Sequence, residues 1–232
     1  MKFFIIVSKE NDHSLQKASE CIENANKFGI YPEIFEAIRG IHSNRTFRKL
    51  KVKLKSVNDQ ASVKLESKGV RGCLASHLEL LNMCAHDNVP YLILEHDAYF
   101  IRKIDLETLK FKNVLHLDAC SHTDIDYNNQ IMNYLDNEVN VIDYITNCKK
   151  RMIGKDERIY TRFCGAHAYI IKPHASLKIL KYVRSYGLIP ADWLFNTFIF
   201  NRLHGVSSSI VRVHPDYNTL DEKNKKLSLT SC

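Results

Sequence analysis

The sequence lacks the paired cysteines of a disulfide-stapled or zinc-knotted scaffold. Its seven cysteines, Cys21, Cys73, Cys84, Cys120, Cys148, Cys164 and Cys232, are odd in number, form no Cys-x-x-Cys pair and fall partly inside apolar stretches. That pattern reads as reduced thiols and excludes both a disulfide framework and a zinc cluster. Long apolar runs are missing too: nothing approaches the roughly 18 consecutive apolar residues of a membrane span. The opening MKFFIIVSKENDHS turns polar at Ser8, too early for the apolar core of a signal peptide. A soluble, cytoplasmic protein is the expectation. No internal repeat or low-complexity linker divides the chain, so residues 1–220 read as a single domain and 221–232 as a polar tail with disorder expected.

What is present is enough apolar sequence for a substantial core, 45% of 232 residues. The net charge of +7 and a pI near 9.0 favour polyanionic surroundings: a phosphate-rich substrate, nucleic acid or an anionic lipid surface. The charge is concentrated. Arg39 to Lys55 carries seven basic residues and no acidic one, and Leu50, Val52 and Leu54 alternate there with lysines, as in a half-exposed strand or a loop. Arg45, Arg48, Lys49, Lys51, Lys53 and Lys55 are the candidates for contact with DNA or an anionic surface.

Apolar periodicity predicts an α/β alternation. FFIIV (Phe3 to Val7) reads as a strand, and Leu15, Ala18, Cys21, Ile22, Ala25 and Phe28 recur at helical spacing up to a stop at Gly29. Glu33 to Ile38 is the second strand candidate. Gly72 to Asn88 places Leu74, His77, Leu78, Leu81 and Cys84 on one helical face and leads into the buried strand YLILE. NVLHLD and HAYIIK are further strands, Pro173 opens a helix, ADWLFNTFIFNRLHG reads as a last helix and VSSSIVRV as a final strand. Residues 121–157 are polar and predicted to hold loops and short elements.

The strand PYLILE ends in Glu95-His96-Asp97. In an extended segment alternate residues share a side, so Glu95 and Asp97 can point together while His96 points away. Two carboxylates at the carboxyl end of a buried α/β strand make a hard oxygen site suited to Mn or Mg shared with a diphosphate, the chemistry of sugar transfer from a nucleotide-sugar. Solvated carboxylates capping a strand are the competing reading.

The segment RGCLASHLELLNMCAHDNVPYLILEHDAYF resembles the signature of glycosyltransferase family 25, the lipooligosaccharide and collagen galactosyltransferase type: a Gly-Cys-x-x-Ser-His helix, a spacer, then a strand ending in an acidic triplet plus Ala. NKFGIYPEIFEAIRG resembles the family's early Gly-containing turn, strand and Ala-x-x-Gly, CGAHAYIIKPHASLKIL its later strand-helix, and PADWLF its Pro-x-Asp-Trp element, in the same order. The resemblance implies a GT-A-like nucleotide-sugar-binding α/β/α sandwich with a mixed, mostly parallel sheet. It also implies a metal-dependent transferase, with Glu95 and Asp97 as metal and donor ligands. His96 departs from the family, which usually has Asp there. By the same resemblance Asp192 is the general base near the acceptor, the competing use being a helix N-cap, and Ser76 and His77 support the donor site. Gly165 suits a close approach of backbone to ligand, and His214 is a candidate late metal ligand. Trp193 reads as core or as a sugar-stacking ring.

The implied activity is transfer of a sugar from a nucleotide-sugar donor to a saccharide hydroxyl of surface-glycolipid type, with possible peripheral contact with an anionic membrane. Two alternatives stand beside it: a phage-type enzyme glycosylating hydroxymethylated pyrimidines in duplex DNA, and an inactive relative that only binds nucleic acid or a glycan. The residues do not specify donor sugar, nucleotide, stereochemistry or oligomeric state.

Overall fold

Phe4 to Val7 are buried on both sides of β1 (Lys2–Val7), as a strand covered by two layers requires. The structure, a computed structural model, describes residues 1–103, 105–106, 108–119, 139–143, 151–152, 159–160 and 165–213; His214, the tail and most of residues 121–157 lie outside this set. On one flank of β1 runs β2 (Glu33–Glu36) and on the other β3 (Tyr91–Glu95), both parallel to it. The crossover from β1 to β2 is α1 (Asp12–Lys27), whose first turn is capped by Asn11 accepting from the backbone N–H groups of His13 and Ser14. Leu15, expected on the buried face of α1, is 40% exposed, because Ser14 and Lys17 turn inward beside Ala18, Cys21 and Ala25.

A seven-stranded sheet has the order β2-β1-β3-β9-β5-β10-β6, completed by β5 (Val114–His116), β6 (Val141–Asp143), β9 (Ala168–Ile171) and β10 (His204–Val206). Strand β9 is antiparallel to both neighbours and β6 is antiparallel to β10; the others run one way. Two small antiparallel pairs sit outside it: β4 (Ala98–Phe100) with β11 (Val211–Val213), and β7 (Arg151–Met152) with β8 (Ile159–Tyr160). Alternation along the strands feeds two cores. Phe4, Ile6, Tyr91, Ile93, Tyr169 and Ile171 pack with α4 (Lys68–Asp87) and α5 (Pro173–Ser185). Ile5, Val7, Leu92, Leu94, Leu115 and Ile170 pack with α1 on the other face. This is the expected α/β sandwich with a mixed sheet. No helix among the described residues is long and apolar enough to cross a membrane.

Of the two readings of Leu50 to Leu54, half-exposed strand or loop, the structure has the loop: a 3-10 turn (Gly40–His42) leads into α2 (Ser43–Lys49), and the chain then turns through Lys51 at φ 57°, with the Val52 N–H returning to the Phe47 carbonyl at 2.8 Å. Leu50 and Val52 are buried because the turn tucks both beneath α2, and α3 (Asp59–Leu65) follows, capped by Asn58. The ADWLFNTFIFNRLHG helix is absent beyond one 3-10 turn, Ala191–Trp193. Asn196 explains this: its side-chain oxygen takes the N–H groups of Phe198 and Ile199 at 2.9 and 3.0 Å, and its amide donates to the Trp193 carbonyl at 2.6 Å. A side chain satisfying the local backbone this way competes with a continuing helix. The apolar residues are nonetheless core, with Leu194, Phe195, Phe200 and Leu203 fully buried. VSSSIVRV forms no single strand; its two ends belong to β10 and β11.

Candidate active site

Helix α4 sits closely on the chain leaving β2, and two glycines allow it. A Cβ on Gly72 would lie 2.5 Å from the Ile38 carbonyl oxygen and 2.9 Å from the Gly40 nitrogen; one on Gly40 would lie 1.9 Å from the Lys68 carbonyl oxygen. Ser76 ties the crossing together, accepting from the Ile38 N–H at 2.8 Å and donating to the Gly72 carbonyl at 2.8 Å. Cys73 and His77, one turn apart on α4, are thereby held against the end of β3.

There His77 is completely buried. Its Nε2 donates to Glu95 Oε1 at 3.1 Å, its Nδ1 lies 2.8 Å from the Tyr169 hydroxyl on β9, and the Cys73 thiol approaches the same Glu95 oxygen at 3.7 Å. Burial pushes the Glu95 carboxyl up, but the His77 hydrogen bond and the neighbouring histidines outweigh it and hold Glu95 below the usual range. Asp97 behaves oppositely. Burial and the Glu95 charge keep its carboxyl above the usual value, and its Oδ1 is buried without a hydrogen-bond partner among the described residues. His96 and Asp97 form a turn between β3 and β4, so the extended-strand alternation expected across the triplet does not apply.

A second carboxylate network flanks the first. The Glu95 N–H donates to the His167 carbonyl at 2.8 Å, which fixes His167 beside the triplet. The His167 ring gives its Nε2 hydrogen to Asp118 Oδ2 at 3.1 Å, Ser209 donates to Asp118 Oδ1 at 2.7 Å, and the His116 and His167 rings meet edge to face at 5.3 Å. Burial pushes Asp118 up, yet the His167 and Ser209 bonds bring it well below the carboxylate range. Burial lowers His167, but the same bond and the charges of Asp118, Asp97 and Glu95 raise it above the usual imidazole value. Gly165, at φ 82°, is where a Cβ would sit 3.0 Å from His167 Nδ1, so the glycine clears that ring edge.

Asp192 is buried on the 3-10 turn, inside its first turn and not at the N-cap, which is Pro190. Burial, then the charges of Glu95, Asp192 and Asp97, hold the Cys73 thiol well above its ordinary value, which places Asp192 in the electrostatic neighbourhood of the strand-end acids. Trp193 is buried, with Lys64 Nζ 5.6 Å from its ring centre. The basic candidates lie elsewhere. Arg45, Arg48, Lys49, Lys51, Lys53 and Lys55 are exposed, and the ion pair described for them joins Lys49 to Glu79 at 2.6 Å. His214 falls outside the described residues. The sequence reading missed Cys73, Asp118, His167, Tyr169 and Ser209; Asp118 at the end of NVLHLD and His167 at the start of HAYIIK carried the same strand-end signal as the triplet.

Cys73 Sγ, His77 Nε2 and Glu95 Oε1 lie within 4.8 Å of one another, a group of side chains that could hold a metal ion. Asp97 Oδ1 is a buried hard oxygen without a hydrogen-bond partner among the described residues, the kind of atom an Mn or Mg ion would take.

The family model described as glycosyltransferase family 25 (LPS biosynthesis protein) matches residues 1–195. That span contains every residue of the two networks except Ser209. No curated protein matches the sequence.

Proposed function

The chain belongs to glycosyltransferase family 25, and we propose on that footing that residues 1–220 form one transferase domain moving a sugar from a nucleotide-sugar to a saccharide hydroxyl of lipopolysaccharide type. The observation that carries the site assignment is the pair of unlike carboxylates at the end of β3: Glu95 held ionised by His77, and Asp97 with a buried unpartnered oxygen. Asp97 and Glu95 would hold a divalent cation, Mn or Mg, which when bound offsets negative charge on the leaving diphosphate.

The remaining roles belong to the chain itself. Tyr169, His77 and Cys73 lock the Glu95 carboxylate in one orientation. Asp118 orients His167 so that its Nδ1 edge, cleared by Gly165, is presented as a polar contact for a donor phosphate. Asp192, a buried carboxylate in the electrostatic neighbourhood of the strand-end acids, takes the proton of the attacking acceptor hydroxyl.

The test combines binding and turnover. Nucleoside diphosphates with Mn are expected to raise the melting temperature of the wild-type protein and not of Asp97→Ala, and labelled nucleotide-sugar is expected to label a lipooligosaccharide core acceptor. Undiminished transfer by Asp97→Ala would remove the site assignment. Incorporation into hydroxymethylated duplex DNA in place of the saccharide would replace the acceptor.

A further inference from the structure

Two stretches without a single acidic residue, residues 37–58 and 167–191, are far apart in the chain and lie together in the fold. The Lys53 N–H donates to the Val183 carbonyl, the Leu188 N–H to the Lys55 carbonyl at 2.8 Å, and the Arg184 side chain to the Leu50 carbonyl at 2.9 Å. Gly187, at φ 119°, makes the junction possible, because a Cβ there would lie 2.2 Å from the Lys55 carbonyl oxygen. The junction merges Lys51, Lys53 and Lys55 with Lys178, Lys181 and Arg184 of α5, all exposed.

The same face carries apolar surface. Tyr182, Tyr186 and Phe198 form a mutual ring cluster with centroids 5.1, 5.6 and 5.5 Å apart, and Tyr186 and Phe198 remain 51% and 37% exposed. Leu54 and Leu177 are exposed as well, at 40% and 54%. Single exposed apolar residues are ordinary, but an exposed ring cluster at the helix that carries Lys178, Lys181 and Arg184 marks an interaction surface.

We propose that this face docks on an anionic lipid bilayer. Charge complementarity argues for an anionic occupant, since the junction gathers six exposed cations and the two segments that form it hold no acid. The rings and leucines choose between anions: duplex DNA would meet the lysines with phosphate and leave the apolar side chains in water, whereas a headgroup layer takes the charges and lets aromatic rings settle at the acyl boundary. Long lysine stems also cover apolar surface while their ammonium groups stay at the headgroups. Phe198 follows Asp192 by six residues in the chain, which ties the face to the segment that carries the proposed general base. The proposal rests on the face itself and extends the glycolipid reading by locating the acceptor at a membrane.

Vesicle flotation with the full chain and no donor tests it. Binding is expected to vesicles containing phosphatidylglycerol and not to pure phosphatidylcholine, weakening as salt rises. Lys55→Glu with Lys181→Glu is expected to lower the vesicle partition at least about 25-fold, from about five-fold per cation removed. Tyr186→Ser with Phe198→Ser is expected to lower it while leaving the salt dependence intact. These side chains are exposed, so melting temperatures should stay near wild type, and transfer to a water-soluble saccharide acceptor should persist, which separates failure of this proposal from failure of the transferase reading. Equal partition onto neutral and anionic vesicles, or no loss in the lysine variant, would overturn it. So would tighter binding to unmodified duplex DNA that ignores the aromatic variant.

Discussion

Asp97 should weaken the fold it belongs to. Its carboxylate is buried, its Oδ1 has no partner among the described residues, and Glu95 adds a like charge beside it. A buried polar group left unsatisfied costs about 1–3 kcal/mol, and a domain of this size shifts its melting temperature by about 2–4 °C per kcal/mol. Without metal or nucleotide, Asp97→Ala is therefore expected to melt about 2–12 °C above wild type near neutral pH, while losing transfer. The gap should depend on pH in a set direction. An acid whose folded-state pKa lies above its unfolded value binds more protons folded than unfolded between the two, so stability falls as pH rises through that interval. The wild type should lose stability from the ordinary aspartate range upward, and the variant should not, so the two curves converge in acid and separate toward neutrality. Thermal melts from pH 4 to 7.5 with chelator present, read beside donor turnover, check both halves. A variant that melts lower than wild type at neutral pH, or a gap that ignores pH, would refute the reasoning, since either means that the carboxylate is satisfied in the folded chain.

Tyr169→Phe leaves the Nδ1 of a completely buried His77 without its 2.8 Å partner, so urea unfolding should report a loss of about 1–3 kcal/mol and donor binding should weaken through Glu95. Gly72→Ala places a methyl 2.5 Å from a backbone oxygen that cannot swing aside; a loss of about 1–3 kcal/mol from overpacking is expected in the same assay, with turnover falling because α4 carries Cys73 and His77. The Asp118–His167 pair should stabilise the fold over a defined window. Asp118, shifted down, contributes fully above the ordinary aspartate value and loses its contribution in acid; His167, shifted up, contributes fully below the ordinary histidine value and loses its contribution as pH rises through its raised one. The advantage of wild type over Asp118→Asn in melting temperature should therefore be largest between about pH 4 and 6.5 and shrink on both sides.

The sheet strands were legible where local composition and tertiary demand agree. β1 and β3 are apolar on both faces because both faces are covered, and α4 keeps its helical period because one side packs on the sheet. Ambiguities and misreadings arose where one side chain or one turn decides the backbone. Leu50, Val52 and Leu54 alternate with lysines as a strand would, yet after the positive φ at Lys51 Leu50 and Val52 lie under α2 while Leu54 stays exposed, and nothing in that alternation distinguishes strand from loop. Phe195, Phe200 and Leu203 are buried as core residues, and Asn196 supplies local bonds that compete with a helix there.

The candidate site divides along the same line. Glu95 and Asp97 were visible as residue types at a strand end, and spacing made them look equivalent. The fold makes them unlike. Antiparallel insertion of β9 between β3 and β5 brings His167 and Tyr169 alongside Glu95 and carries Asp118 into reach of His167. None of those neighbours is close in sequence to the triplet, and their pairing depends on a strand order that periodicity does not encode. Glu95, at the last position of β3, receives donors from α4 while β9 supplies Tyr169 behind them; Asp97, two residues on in the turn, is buried beyond their reach. A strand that continued straight through the triplet would have given both acids the same partners. The turn at His96 and Asp97 separates a carboxylate that His77 satisfies from one whose Oδ1 is left without a partner among the described residues.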